Sequence, residues 1–171
     1  MIFRKTATNH LLPVLFACLL ATSLVPAPAR SAEAGPSNSN AAPNFELPDL
    51  NGSKVALASF KGQKPVLIYF WATWCPHCLA VRPQVIKLRK ETAQGELAIL
   101  GVNVGGNDSL ARLKKFEEAN PAPYTVLYDA EGKSARSFKV FGIPHFILVD
   151  KSGTIKYSGN EMPRNPIALL K

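Results

Sequence analysis

The chain has 171 residues, with 20 basic against 12 acidic side chains and three cysteines. That length suits one ordinary domain with a short appendage. Its net charge of +8 is scattered along the chain rather than gathered in one run, which argues for a solvated basic surface and against a nucleic-acid or anionic-membrane patch.

At the N-terminus, Met1-Ile2-Phe3-Arg4-Lys5 is a basic start, Leu11 to Val25 an apolar middle, and Ala27-Pro28-Ala29 a small-residue exit. This order predicts a secretory signal over residues 1–34, cleaved after Ala29 or after Ala34. A retained membrane anchor is the minority reading, because a spanning helix needs roughly 20 apolar residues and this run is shorter. Leu15-Phe16-Ala17-Cys18 loosely resembles a lipoprotein processing site, but the apolar run continues through Leu19-Leu20 and Phe16 is bulky for one. Loss of residues 1–34 leaves Cys75 and Cys78 as the remaining cysteines, and an exported chain with one close pair is not a disulfide scaffold.

Residues 35–44 have no large apolar side chain and are expected to form a flexible linker to a domain over residues 45–171. Asp49-Leu50-Asn51-Gly52 carries an Asn-Gly turn between two short extended pieces, predicting a small opening hairpin. Val66 to Trp71 is a continuous apolar and β-branched run, as expected of a central strand buried on both faces. After Cys75 the period changes: Cys78, Val81, Val85 and Leu88 share one helical stripe, with Pro83 expected to kink the helix. A strand over Leu97 to Val104 follows, then a second amphipathic helix with Asp108 as N-cap, an apolar stripe of Leu110, Leu113 and Phe116, and an end at Asn120-Pro121. A strand at Tyr124 to Tyr128, a short helix around Ser134 to Val140, and strands at His145 to Val149 and Thr154 to Tyr157 complete an α/β arrangement. It predicts a central mixed β-sheet flanked by helices, with an N-terminal β-hairpin extension.

Cys75-Pro76-His77-Cys78 opens the first long helix directly after the buried strand. One helical turn brings two such cysteines within bonding range. Cys75 at the helix N-terminus meets unpaired N–H groups and the positive end of the macrodipole, which favour a thiolate. Pro76 suits the first helical position, where a missing N–H costs nothing, and His77 adds partial positive charge. A structural zinc site usually needs four ligands, and haem attachment needs a histidine after the second cysteine, where Leu79 stands. Copper(I) held by two soft thiolates stays open.

Phe70-Trp71-Ala72-Thr73-Trp74-Cys75-Pro76-His77-Cys78 and Gly142-Ile143-Pro144-His145-Phe146 strongly resemble the thioredoxin superfamily, in particular its exported TlpA/ResA-type thiol–disulfide oxidoreductases. The resemblance runs from Phe45 to Tyr157 and implies a thioredoxin-like fold. It implies that Cys75 attacks, that Cys78 resolves the mixed disulfide, and that the Ile143–Pro144 bond is cis, with the backbone before Pro144 facing the cysteines and pairing with substrate. Trp74 is expected to border the substrate surface and Trp71 to lie in the core; His145 is expected to alternate outward on its strand. No cofactor is expected beyond the Cys75–Cys78 disulfide. The implied setting is periplasmic or otherwise exported, as a monomer, with protein thiols and disulfides as substrates, a membrane protein as electron donor, and no nucleic acid.

The chain departs from its relatives at two acids. Thioredoxin proper has a buried aspartate where this chain has Tyr69, and TlpA/ResA-type relatives often have a glutamate where it has Val81. The base for Cys78 is therefore not visible in the motif. Cys-Pro-His-Cys is also the motif of the oxidising DsbA-type proteins, in which a loop histidine stabilises the reduced form. Three functions follow: reduction of a specific exported protein disulfide, of the cytochrome c maturation or metal-centre assembly kind; a dithiol oxidant; or a copper(I)-binding module without turnover. After Tyr157 two prolines leave room for only a stub of final helix, so one sheet face is expected to be thinly covered.

Overall fold

The computed structural model describes residues 40–93 and 95–171. The expected signal segment, Cys18 within it, and the first part of the expected linker lie outside these residues. The described part of that linker is already hydrogen-bonded: Ala42 N–H donates to Gly153 (2.9 Å) and Ile155 N–H to Asn40 (2.8 Å). The fold thus reaches back to Asn40, because backbone pairing needs no apolar side chain and composition is blind to it.

Strands β1 (Glu46–Pro48) and β2 (Lys54–Ala56) form the opening hairpin. At its turn Asp49 Oδ1 accepts from the N–H groups of Asn51 and Ser53, and Gly52 takes the positive φ of 88° that the Asn-Gly pair foreshadows. A single 3-10 turn, Leu57–Phe60, leads into β3 (Val66–Trp71). Then come α1 (Pro76–Glu91), β4 (Ala98–Val104), α2 (Leu110–Ala119), β5 (Thr125–Asp129), α3 (Lys133–Ser137), β6 (His145–Val149), β7 (Ile155–Gly159) and a terminal 3-10 turn, Ala168–Leu170.

The main sheet runs β5-β4-β3-β6-β7, parallel on the β5-β4-β3 side and antiparallel across β3-β6-β7. β3 is buried throughout, and its alternation splits the core in two. Leu67, Tyr69 and Trp71 face α1, α2 and the C-terminal stub; Val66, Ile68 and Phe70 face Phe45, Leu57 and the residues around α3. The stub covers its face through Met162, Ile167 and Leu170.

Three expectations change in detail. The buried residues of α1, which includes the exposed Pro83, are Cys78, Arg82 and Val85, while Val81 and Leu88 of the expected stripe are partly buried. The N-cap of α2 is Ser109, whose Oγ accepts from Arg112 N–H, while the Asp108 carboxylate turns inward to Thr73 and Asn103. Leu110 is exposed and Glu117 is buried, so the inner stripe of α2 is displaced by one residue type that hydropathy alone places outside.

Candidate active site

Cys75 and Cys78 are joined by a disulfide, with Cα atoms 5.2 Å apart, where β3 passes into α1. Cys75 is the N-cap of α1: its backbone is extended, Pro76 takes the first helical position, and its Sγ accepts from the Cys78 N–H at 3.2 Å. The sulfur therefore occupies the place of a capping oxygen, where the free N–H groups of the first turn favour negative charge. Cys75 retains 5% exposure and Cys78 none, which makes Cys75 the more accessible of the two. His77 lies exposed on the first turn.

The cis Ile143–Pro144 bond sets the loop before β6 against this helix end, with the Ile143 carbonyl oxygen 3.7 Å from Cys75 Sγ. Asn160, just after β7, ties the loop down by donating to Gly142 and Pro144. Trp74 on one side is 46% exposed. Phe141 on the loop is 96% exposed, an aromatic ring held in water two residues before Ile143. Both are large apolar side chains left exposed, Trp74 next to Cys75 in the chain and Phe141 on the loop that carries Ile143. His145 is half-buried, its Nε2 3.0 Å from Ser158 Oγ, and burial holds its pKa below the ordinary value.

Behind the disulfide the face is aromatic. Tyr69 stacks between Trp71 (6.0 Å) and Phe146 (5.1 Å), and its hydroxyl donates to the Cys78 carbonyl at 2.7 Å. Burial drives its pKa up, so it remains a donor. Arg82, one turn beyond Cys78, donates from Nη2 to both carboxylate oxygens of Glu117 at 2.8 Å and lies over the rings of Trp71 (5.5 Å) and Phe116 (5.1 Å). Sequence reading missed this pair, since Arg82 and Glu117 are far apart in the chain and neither stands in a motif. The one available signal was the period, which puts Arg82 on the stripe of Cys78 and Val85. The loop carrying Trp74 is held by Asp108, whose Oδ2 accepts from Thr73 N–H and Asn103 Nδ2, both at 2.9 Å. Among the described residues no cluster of three or more His, Cys, Asp or Glu is placed to hold a metal ion.

Residues 39–158 match the AhpC/TSA family. The thioredoxin-like protein YneN of Bacillus subtilis is 34% identical over 125 residues, 72% of either chain. The thiol-disulfide oxidoreductase ResA of Bacillus thuringiensis is 31% identical over 114 residues, 67% of this chain and 64% of that one. The chain thus spans just under two thirds of ResA's own length. Among solved structures, the exposed lipoprotein thioredoxin Etrx1 of Streptococcus pneumoniae superposes with a TM-score of 0.64 at 29% identity, covering 71% of this chain and 92% of that one.

Proposed function

From the premise that the chain belongs to the AhpC/TSA family and has the thioredoxin-like fold of thiol–disulfide oxidoreductases, we propose that it exchanges disulfides with an exported protein partner through Cys75 and Cys78. The carrying observation is the Cys75 sulfur at the N-cap of α1, disulfide-bonded to Cys78, 3.7 Å from the Ile143 carbonyl oxygen and the more exposed of the two. Reduced Cys75 attacks a partner disulfide as thiolate, releasing one partner thiolate. Cys78 then attacks Cys75 Sγ, releasing the second and closing the 75–78 bond. Electrons are carried on the pair itself, with no bound cofactor. The Ile143 carbonyl and its neighbours offer backbone groups to an extended partner segment, and Trp74 and Phe141 offer apolar contact beside it.

The favoured direction is reduction of a particular exported disulfide, of the kind met in cytochrome c maturation or metal-centre assembly, with electrons supplied by a membrane protein. Export by the N-terminal segment and action as a monomer belong to the same reading. His77, exposed one residue from Pro76, favours the second reading, a dithiol oxidant, because positive charge there stabilises the reduced thiolate. Each pKa unit by which the thiol falls below ambient pH contributes about 1.4 kcal/mol, or roughly 30 mV.

Cys78→Ala should hold its partner on Cys75, and recovery of a defined exported protein from such a trap supports exchange; a trap that captures nothing would sink it. Equilibration with glutathione redox buffers then decides direction: a potential near the thioredoxin end indicates reduction, one near the DsbA end oxidation. His77→Ala should lower the potential if the imidazole tunes it. One equivalent of copper(I) that blocks exchange stoichiometrically would favour the metal-binding alternative.

A further inference from the structure

The loop that carries the cis Ile143–Pro144 bond is gripped by a single amide. Asn160 Nδ2 donates to the Gly142 carbonyl at 3.2 Å and to the Pro144 carbonyl at 2.8 Å, so one group holds the chain on both sides of Ile143. Between those two holds stands the Ile143 carbonyl, 3.7 Å from Cys75 Sγ. Both partners of Asn160 are carbonyl oxygens, which only the NH2 end of an amide can serve.

Strand register brings the amide to this place. In the β6–β7 pair Gly159 stands opposite Phe146, so the next residue, Asn160, comes level with His145 where the loop enters β6. The Tyr157 hydroxyl donates to the Glu161 carbonyl (2.7 Å) and closes the turn on which Asn160 sits. Burial lowers the pKa of His145, and a hydrogen bond with Asn160 offsets part of that. The amide oxygen, which the two carbonyls cannot use, is the end left for the imidazole.

Asn160 is exposed, and a hydrogen bond made in contact with water adds only modestly to stability. What the clamp governs is therefore the direction of the loop more than the stability of the fold. Gly142 lacks the Cβ that would restrict its backbone, so the peptide plane entering Ile143 depends on an outside tie. No backbone group among the described residues bonds to the Ile143 N–H. Held in this way, Ile143 presents an N–H and a carbonyl in a fixed direction, as an extended segment requires in order to add as a strand.

We propose that Asn160 is a positioning residue for partner docking: its amide clamps the carbonyls flanking Ile143 and so aims the Ile143 N–H and carbonyl at an extended peptide segment whose disulfide Cys75 attacks. The inference rests on the disulfide-exchange reading. In the step concerned, the Cys75 thiolate bonds to the partner sulfur, and the partner S–S bond breaks with its electron pair leaving on the second sulfur. Asn160 enters that step only through the loop.

The test measures reduced protein against two probes that share one leaving group, thionitrobenzoate. One is its mixed disulfide with a capped three-residue peptide bearing a central cysteine; the other is its mixed disulfide with mercaptoethanol, which has no backbone to pair. Asn160→Ala should lower the ratio of the peptide rate constant to the mercaptoethanol one roughly three- to tenfold, the factor that corresponds to about one hydrogen bond. Asn160→Asp keeps the size of the side chain, but its carboxylate cannot donate. Its ratio should match that of Asn160→Ala at pH 7 and climb toward wild type as the carboxyl gains a donor proton near about pH 4. His145 titrates beside it, so each ratio is compared with wild type at the same pH. A general loosening of the chain would not be reversed by acid in this one variant. An unchanged ratio in Asn160→Ala, whether both constants hold or both fall together, would overturn the proposal, and so would an Asn160→Asp ratio indifferent to pH. A wild-type protein that reacts with neither probe would overturn the exchange reading and this inference with it.

Discussion

At the scale of single residues, two side chains outside the cysteine motif govern how the reactive pair is presented. Burial alone would raise the pKa of Asp108. The bonds it receives from Asn103, Thr73 and Ser109 outweigh that and hold it below its ordinary value of 3.8. A depressed folded-state pKa contributes stability above the unfolded value that is lost as pH falls through the folded one. Asp108→Asn should therefore cost about 1.5–3 kcal/mol at pH 7, the range for hydrogen bonds to a charged group. Urea titrations of the two proteins should converge only as pH falls past 3.8 and through the lower folded-state value. On the proposed reading, Phe141 meets the partner. An aromatic ring wholly buried on binding contributes about 1.5–3 kcal/mol, so Phe141→Ser should weaken a protein partner roughly tenfold to 100-fold while leaving the rate with glutathione disulfide unchanged. An equal loss with both would place Phe141 in the chemistry rather than in recognition.

At the scale of elements, most of the fold is legible because each piece announces itself locally. The run from Val66 to Trp71 has the composition of a strand covered on both faces, and both faces are covered. The Asn-Gly turn, the proline at the head of α1 and the stop at Asn120 are likewise local devices. The discrepancies arise where a polar side chain has two competing partners. Asp108 precedes a helix and so reads as its cap, but Ser109 caps equally well and frees Asp108 for Thr73 across the β3–α1 junction. Close approaches between elements carry no local mark. A Cβ on Gly105, at the end of β4, would lie 2.6 Å from the Ala130 carbonyl oxygen and 2.7 Å from its Cα. Backbone cannot yield as a side chain does, so Gly105→Ala should destabilise by about 1–3 kcal/mol, read as a lower urea midpoint. An unchanged midpoint would mean that the turn between β5 and α3 moves freely.

At the scale of the whole molecule, the two faces of the sheet carry different burdens. The face under α3, Leu57 and Phe45 is largely hydrocarbon; the face under α1 and α2 holds the disulfide, three stacked aromatic rings and a buried ion pair. The sequence by itself determined the reactive pair, the strand and helix that present it, the proline loop expected to face it, and the family, because these depend on residues close in the chain or on a motif whose spacing is its meaning. Only the tertiary structure decided that Arg82 and Glu117 meet, that Tyr69 bonds the Cys78 carbonyl, and that the Ile143 carbonyl comes to the Cys75 sulfur. Such contacts join residues on different elements, and their partners are chosen by how the sheet aligns those elements.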